Sequence, residues 1–149
     1  MSVHTTEQIA MKKIYHLALH NEWTAITKQG GTYFPPTYDQ DGFTHGTGDA
    51  DKLLEVANHF YIESTGDWVC LEMTEASLNA AGVEVRYEPA AAVGDKDGEL
   101  EKEMEDDTAL FPHLYGGIHP AVVTDIHGVK RDEHGGFTEI LFSSHSQNL

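Results

Sequence analysis

The sequence predicts an α+β domain with a mostly antiparallel or mixed β-sheet and two main helices. Short strand-like segments recur along the chain, whereas only two segments repeat apolar residues at helical spacing. A doubly wound nucleotide-binding fold would need more helices and a glycine fingerprint after its first strand, and the sequence has neither. Because a chain of 149 residues is long enough to bury one core, we expect a single domain with its core in residues 12–142.

The chain begins with a predicted strand and a predicted helix. Lys13–Leu19 alternates in polarity, which is typical of a strand. Asn21 is expected to cap the following helix, which carries Trp23 and Ile26 on one face and ends at Gly30-Gly31.

The second helix is the clearest element of the sequence. Either Thr47 or Asp49 can serve as its N-cap, since both side chains accept hydrogen bonds from backbone N–H groups. Its apolar stripe follows helical spacing and consists of Leu53, Leu54, Ala57, Phe60 and Tyr61.

The remaining elements are predicted to be strands joined by short connections, with one exception. The predicted strands are Trp68–Met73, Val83–Tyr87, Leu114–Ile118, Val122–Ile126 and Phe137–Phe142. The exception is an acidic surface loop over about residues 93–109. Its segment Asp95–Asp107 holds eight acids and two lysines, a composition that favours solvent over a core.

Composition restricts the classes of partner. Nine Lys and Arg stand against 25 Asp and Glu, which gives a formal net charge of −16. Such a surface repels phosphate backbones and anionic lipid, so we expect neither a nucleic-acid nor a membrane partner. The one cysteine, Cys70, lies in an apolar run and is expected to be buried and inert. No signal-peptide core or membrane span is evident, so we expect a cytoplasmic protein.

Three of the ten histidines lie in settings that favour a binding site. His16 occupies the first predicted strand, and His45 lies in the glycine-rich segment before the second helix. His113 belongs to the segment FPHLYGGIHP, which also contains Tyr115 and His119. Histidines in glycine- or proline-rich turns with flanking aromatic residues are typical of binding loops. The alternative for each is an imidazole hydrogen-bonded within the fold.

Six motifs occur in one order along about residues 12–127. They are Ile14-Tyr15-His16, the series Trp23, Ala25, Gly30 and Tyr33, Asp41-Gly42-Phe43-Thr44-His45, Ala57-Asn58-His59-Phe60-Tyr61, Trp68-Val69-Cys70-Leu71, and Phe111-Pro112-His113-Leu114-Tyr115-Gly116. Together they resemble an uncharacterised family, domain-of-unknown-function nine-five-two. The segment Val85-Arg86-Tyr87-Glu88-Pro89-Ala90-Ala91 before the acidic insertion is similar to the eukaryotic branch of that family.

The resemblance implies an ADP-ribosyltransferase-like fold, a split β-sheet with a cleft for NAD as the suspected cofactor. It implies that His16 takes the first catalytic position and that Glu88 supplies the carboxylate. Thr44 or Thr47 would supply a hydroxyl. Basic residues that would hold a pyrophosphate are scarce, and Arg86 lies beside the segment that would contribute Glu88.

Three functions remain open from the sequence. The first is a pocket for a small molecule, with or without catalysis. In it His16, His45 and Thr47 would bind ribose or phosphate groups, Tyr115 would stack on a ring, and Glu88 would stabilise positive charge. His113 and Tyr115 would point inward from one wall.

The second function is a metal-assisted hydrolase or metal-binding protein that uses His16, His45 and either His113 or His119, since imidazole suits Zn, Ni and Fe. The third is a non-catalytic module in which these histidines only stabilise the sheet. The sequence leaves the oligomeric state open.

Overall fold

The strands of the computed structural model form two antiparallel sheets. The structure describes residues 11–91, 93–94 and 110–142. The predicted acidic segment Asp95–Asp107 lies outside these residues. Among the described residues, no helix has the length and apolar character needed to cross a membrane.

The larger sheet has four strands in the order β1-β3-β6-β7. The strands are β1 (Lys13–Leu19), β3 (Trp68–Thr74), β6 (Val123–Arg131) and β7 (Phe137–Leu141). Alternation along β1 sends Ile14 and Ala18 to one hydrophobic cluster and Tyr15 and Leu17 to another. The sheet is therefore covered on both faces where β1 and β3 pair.

The smaller sheet has three strands in the order β2-β5-β4. The strands are β2 (Thr44–His45), β4 (Glu84–Glu88) and β5 (Phe111–Tyr115). His45 lies opposite His113 in the register, and Arg86 lies opposite His113 on the other side. Since side chains alternate across a strand, Phe111, His113 and Tyr115 share one face of β5, while Pro112 and Leu114 share the other.

The two sheets meet at the edge strand β1. Tyr15 and Thr47 exchange two backbone hydrogen bonds of 2.8 Å, and the Gly46 N–H donates to the Pro112 carbonyl at 2.9 Å. A Cβ at position 46 would lie 3.0 Å from that carbonyl oxygen and 3.1 Å from the side chain of Ile14. Glycine therefore permits the close approach that joins β1 to the smaller sheet.

Within the described residues, four α-helices connect the strands: α1 (His20–Lys28), α2 (Tyr38–Asp41), α3 (Leu53–Phe60) and α4 (Glu75–Ala80). Helix α3 buries Leu53, Val56 and Ala57, as its apolar stripe predicts. A single 3-10 turn, Ala50–Lys52, precedes it, and the Asp49 side chain accepts a hydrogen bond from the Asp51 N–H at the start of that turn. Asp49 therefore caps the 3-10 turn, and helix α3 begins directly after that turn.

Several predicted boundaries are wrong. Helix α1 begins at His20, so Asn21 lies inside it and does not cap it. Helices α2 and α4 were not predicted because they have only four and six residues. The expected strand Leu114–Ile118 instead spans Phe111–Tyr115, and Ile118 pairs alone with Tyr33. Strand β6 runs to Arg131 rather than ending at Ile126, because it pairs with both β3 and β7.

Candidate functional site

A cavity lies where β1 meets the smaller sheet, and it brings together residues that are distant in the sequence. Its volume is about 470 Å³, including its opening to solvent. The described residues that line it are mostly apolar or aromatic and none is Asp, Glu, Lys or Arg. They are Tyr15, His16, Leu17, His45, Gly46, Thr47, Val56, Phe60, Tyr61, Ala90, Ala91, Val93, Phe111 and His113.

A second cavity of about 440 Å³ adjoins the first. Both are lined by His16, Leu17, His45, Tyr61 and Val93, so His16 and His45 stand at the junction. The second cavity adds Tyr33, Pro35, Pro36 and Trp68, which again are apolar or aromatic, and one acid, Glu22.

His16 is held by the backbone of the smaller sheet. It is 4% exposed, and its Nδ1 lies 2.6 Å from the carbonyl oxygen of His45. A carbonyl oxygen only accepts hydrogen bonds, so Nδ1 must carry the proton, and the neutral ring then has a lone pair at Nε2. Burial lowers the pKa of His16 to about 4, so the ring is neutral at pH 7.

The Nε2 atom of His16 is buried and has no hydrogen-bond partner. Among the described residues, it is the one buried side-chain nitrogen or oxygen for which this is true. Leaving a buried acceptor unpaired costs about 1–3 kcal/mol, so such an atom needs an explanation. His16 lines both cavities, so the unpaired Nε2 belongs to a residue at the junction of the two.

His45 is oriented by a carboxylate. Its Nε2 lies 2.8 Å from Oδ2 of Asp41, whose side chain is only 6% exposed. The same carboxylate accepts the Gly94 N–H at 3.1 Å from each oxygen. Burial lowers the pKa of His45, while the bond to Asp41 opposes that shift. Asp41 thus fixes both the imidazole and the segment that carries Val93 over the cavity.

His113 is also oriented by a carboxylate, but through its other nitrogen. Its Nδ1 lies 2.7 Å from Oε1 of Glu88, and its side chain is 3% exposed. Phe43 stacks on the imidazole with ring centroids 4.0 Å apart and an angle of 15° between the rings. The hydrogen bond and the stacking together leave the ring little freedom to rotate.

Glu88 lies outside the cavity and is joined to it through His113. Its Oε1 also accepts the hydroxyl of Tyr115 at 2.7 Å. The hydrogen bonds from Tyr115 and then from His113 lower the pKa of Glu88, so its carboxylate is charged at neutral pH. Arg86 lies over the ring of Tyr115, 4.7 Å from its centroid, and pairs with Glu84.

Comparison with known proteins identifies a family. Residues 17–126 match the family described as protein of unknown function, DUF952. The chain belongs to this family. Its sequence matches none of the curated proteins.

Solved structures of protein CC0527 from Caulobacter crescentus share the fold of this DUF952 chain. The crystal structure has 21% identity and a TM-score of 0.60, and the match covers 85% of this chain and 93% of that one. A crystal structure of a double mutant gives the same identity and coverage with a TM-score of 0.61. The solution structure has 20% identity, a TM-score of 0.52 and coverage of 93% and 97%.

The residues proposed from the sequence divide into two groups. His16, His45, Thr47 and His113 line the cavity. Thr44 does not: it is fully buried, and its hydroxyl donates to the Gly116 carbonyl at 2.9 Å. Thr44 pairs with Leu114 in the register and shares the core-facing side of the sheet.

Tyr115 and His119 also lie apart from the cavity walls. Tyr115 is on the same face of β5 as His113, but its hydroxyl is bonded to Glu88 and it does not line the cavity. The expectation that Tyr115 stacks on a ligand ring is therefore wrong for this cavity. His119 is exposed, and its Nδ1 accepts the Ala121 N–H at 3.0 Å, where it caps the turn Pro120–Val122.

In the described part of the chain, the cavity histidines do not bring three ligand atoms within 4.8 Å of one another. Among the described residues, the one set of three or more ligand atoms that lie within 4.8 Å of one another belongs to Glu72, Asp125 and His127. That set lies on β3 and β6 and includes none of the histidines expected to bind metal. Lys13 already pairs with Glu72 at 3.2 Å.

Sequence reasoning missed Asp41 and Phe43 as parts of the site. Both lie in the motif that contains His45, and Asp41 is four residues before it. That spacing allows an acid and a histidine to meet when the chain turns between them. The stacking of Phe43 on His113 depends on the pairing of β2 with β5, which joins segments about 70 residues apart.

Proposed function

We propose that this DUF952 protein binds a neutral small molecule with hydroxyl groups, such as a nucleoside, in the open cavity lined by His16, His45 and His113. The observation that carries the proposal is the unpaired, buried Nε2 of His16, a residue that lines the cavity. A hydroxyl or N–H group of the ligand would donate to this atom.

The chemistry of the walls favours a neutral ligand. None of the described lining residues carries a full charge, and the pKa of His16, at about 4, keeps its imidazole neutral. A phosphate placed there would lose its hydration without gaining a cation, at a cost of several kcal/mol. Apolar walls such as Val56, Phe60 and Phe111 would instead cover a ring or an aliphatic body.

The ADP-ribosyltransferase-like resemblance suggests a narrower form of the proposal, in which the ligand is a ribose-containing part of NAD. A ribose is a neutral group with hydroxyl donors, which suits His16. A pyrophosphate finds no Lys or Arg among the described lining residues, so we place a nucleoside ahead of the whole dinucleotide. A comparison of adenosine with NAD tests both forms of the proposal.

The experiment compares adenosine with ligands that carry one or more phosphate groups. Thermal shift and calorimetry would be run with adenosine and AMP, and then with ADP-ribose and NAD. We expect adenosine to raise the melting temperature and to bind at least about tenfold more tightly than AMP. Tighter binding of AMP or NAD than of adenosine would contradict the neutral-ligand proposal.

Two variants of His16 separate binding from folding. In His16→Asn the amide nitrogen replaces Nδ1 and keeps the bond to the His45 carbonyl, but the acceptor at Nε2 is lost. In His16→Gln the amide reaches the position of Nε2 and can still accept. We expect His16→Asn to keep the melting temperature and to weaken adenosine binding about tenfold or more, with partial recovery in His16→Gln. Equal affinities in the wild type and in His16→Asn would contradict the assigned role.

A further inference from the structure

The three cavity histidines differ in what holds them, and the difference suggests a division of roles. His16 is held by a carbonyl, which carries no charge, whereas His113 is held by the carboxylate of Glu88. A carboxylate beside an imidazole stabilises the imidazolium that forms when the ring takes a proton. A carbonyl fixes the ring but offers far less of this stabilisation.

We propose that His113 and Glu88 form a general-base pair, in which His113 removes a proton from a hydroxyl group of the bound molecule and Glu88 is the positioning residue. The proposal deepens the proposed function and rests on it, because the hydroxyl belongs to the ligand of this cavity. It adds a chemical step to what would otherwise be a binding site.

The hydrogen bonds of His113 determine which nitrogen is available. The ionised carboxylate of Glu88 only accepts, so Nδ1 of His113 carries the proton and Nε2 of the neutral ring has the lone pair. Nε2 makes no hydrogen bond with a described residue, and it is not among the fully buried atoms without a partner. Because Glu88 lies outside the cavity that His113 lines, we infer that the Nε2 edge faces that cavity.

The step balances in atoms and charge. The O–H bond of the ligand breaks, an N–H bond forms at Nε2 of His113, and the electron pair stays on the ligand oxygen. The neutral imidazole becomes an imidazolium paired with the carboxylate of Glu88, which itself takes no proton. His16 would bind a second donor of the ligand, because its buried ring resists protonation until about pH 4.

The charged and titratable groups around His113 come from three elements. Glu88 and Arg86 face it from β4, His45 faces it from β2 with ring centroids 5.7 Å apart, and Tyr115 lies on its own strand. Arg86 is already paired with Glu84 at 2.8 Å. Among the described residues, Glu88 is therefore the charged residue in direct contact with the imidazole of His113. The variant Glu88→Gln removes that charge.

Diethyl pyrocarbonate tests the pair without any knowledge of the ligand. An unprotonated imidazole nitrogen attacks a carbonyl carbon of this reagent, an N–C bond forms, and a C–O bond breaks with release of ethanol and CO₂. Tandem mass spectrometry of the full-length protein after timed reaction gives the rate at each histidine as a function of pH. The exposed His119 serves as an internal reference.

We expect His113 to react in the folded protein. In Glu88→Gln the rate at His113 at pH 8 should fall by about threefold or more relative to that at His119, because the neutral amide no longer stabilises the cation that forms as the ring nitrogen attacks. An unreactive His113 beside a reactive His119, or an unchanged rate ratio in Glu88→Gln, would overturn the proposal.

The variant Tyr115→Phe tests whether Glu88 acts on His113 through its charge or only by holding the imidazole in place. Loss of the Tyr115 hydroxyl leaves the carboxylate of Glu88 with one donor fewer, so its interaction with His113 becomes stronger and the rate ratio at pH 8 should not fall. A fall like that in Glu88→Gln would show that both changes only loosen the ring, and would overturn the electrostatic role. Failure of adenosine to bind would count against the proposed function alone, since this reaction involves no ligand.

Discussion

Two regions of the molecule contain a buried histidine beside a carboxylate, and they differ in which nitrogen is committed. On the larger sheet, His127 is 3% exposed and its Nε2 lies 2.8 Å from Oε1 of Glu72, which also pairs with Lys13. In the cavity, His16 and His113 commit Nδ1 and leave Nε2 without a described partner. In the first region the carboxylate of Glu72 joins Lys13 and His127. In the second region we propose that the Nε2 atoms accept hydrogen bonds from a bound molecule.

The comparison teaches that burial alone does not mark a functional histidine. His127 is as buried as His16 and His113, yet its Nε2 serves the packing of β3 against β6. What distinguishes the cavity is that His16, His45 and His113 line a space whose other described lining residues include no Asp, Glu, Lys or Arg. Changes in the first region should therefore alter stability, and changes in the second should alter binding and reactivity.

The largest effect is expected from Glu72→Ala. The change removes a carboxylate that is hydrogen-bonded to the buried His127, and the free energy of unfolding should fall by about 3 kcal/mol. Urea denaturation measures this loss. The reactivity of His113 with diethyl pyrocarbonate should stay the same in the folded variant.

Lys13→Ala is the matched control for that change. Its side chain is 59% exposed and contacts the other oxygen of Glu72, so its loss should cost less than about 1 kcal/mol. A loss in Lys13→Ala as large as that in Glu72→Ala would mean that the surface pair, and not His127, stabilises the region.

The next effect is the pH dependence of stability that His16 causes. In the unfolded chain a histidine takes a proton below about pH 6.5, whereas burial lowers the pKa of His16 in the folded protein to about 4. The unfolded state therefore binds more protons between these values, so stability is full above pH 6.5 and falls as the pH drops towards 4. The loss from His16 should reach about 2–3 kcal/mol.

Urea denaturation of the wild type and of His16→Asn at pH 7 and pH 4.5 isolates this contribution. Other groups, among them Glu88 with its lowered pKa, titrate alike in both proteins. We expect the wild type to lose about 2 kcal/mol more than the variant between the two pH values. Equal losses would show that His16 accepts a proton readily in the folded state, contrary to its burial without a partner.

The sequence predicts most of the helices and strands, but fewer of the residues at which they begin and end. Strand β1 has the predicted bounds, and α3 buries its predicted stripe, because both patterns are local and strongly periodic. The bounds of β5 were predicted three residues too late. Pro112 at its second position argues against a strand, yet its ring packs on the core side while its carbonyl accepts from Gly46.

The three histidines predicted from the sequence line one cavity, whereas the contacts that hold them were not predicted. His16, His45 and His113 could be chosen because histidines between glycines, prolines and aromatic residues are conspicuous in a sequence. The direction of Thr44 and Tyr115 depends on the register of β2, β4 and β5, which pairs segments that are distant in the chain. The role of Glu88 could not be derived either, since its contact with His113 spans 25 residues.

The smallest effect is expected from Thr44→Val, which tests the two faces of the smaller sheet. The change removes the hydroxyl that donates to the Gly116 carbonyl but keeps the shape of the side chain. Stability should fall by about 1 kcal/mol. Adenosine affinity should not change, because Thr44 faces the core. A tenfold loss of affinity for adenosine at unchanged stability would show that Thr44 contributes to ligand binding.

The central claim is that His16 and His113 present lone pairs at Nε2, and long-range ¹H–¹⁵N NMR of their imidazoles at pH 7 tests it most directly. The method distinguishes a protonated from an unprotonated ring nitrogen for each histidine. The hydrogen bonds of Nδ1 to the His45 carbonyl and to Glu88 require a protonated Nδ1 in both rings, and the account predicts that Nε2 carries no proton. Addition of adenosine should then shift the Nε2 signal of His16. Spectra with Nε2 protonated in His16 and His113 would contradict the account.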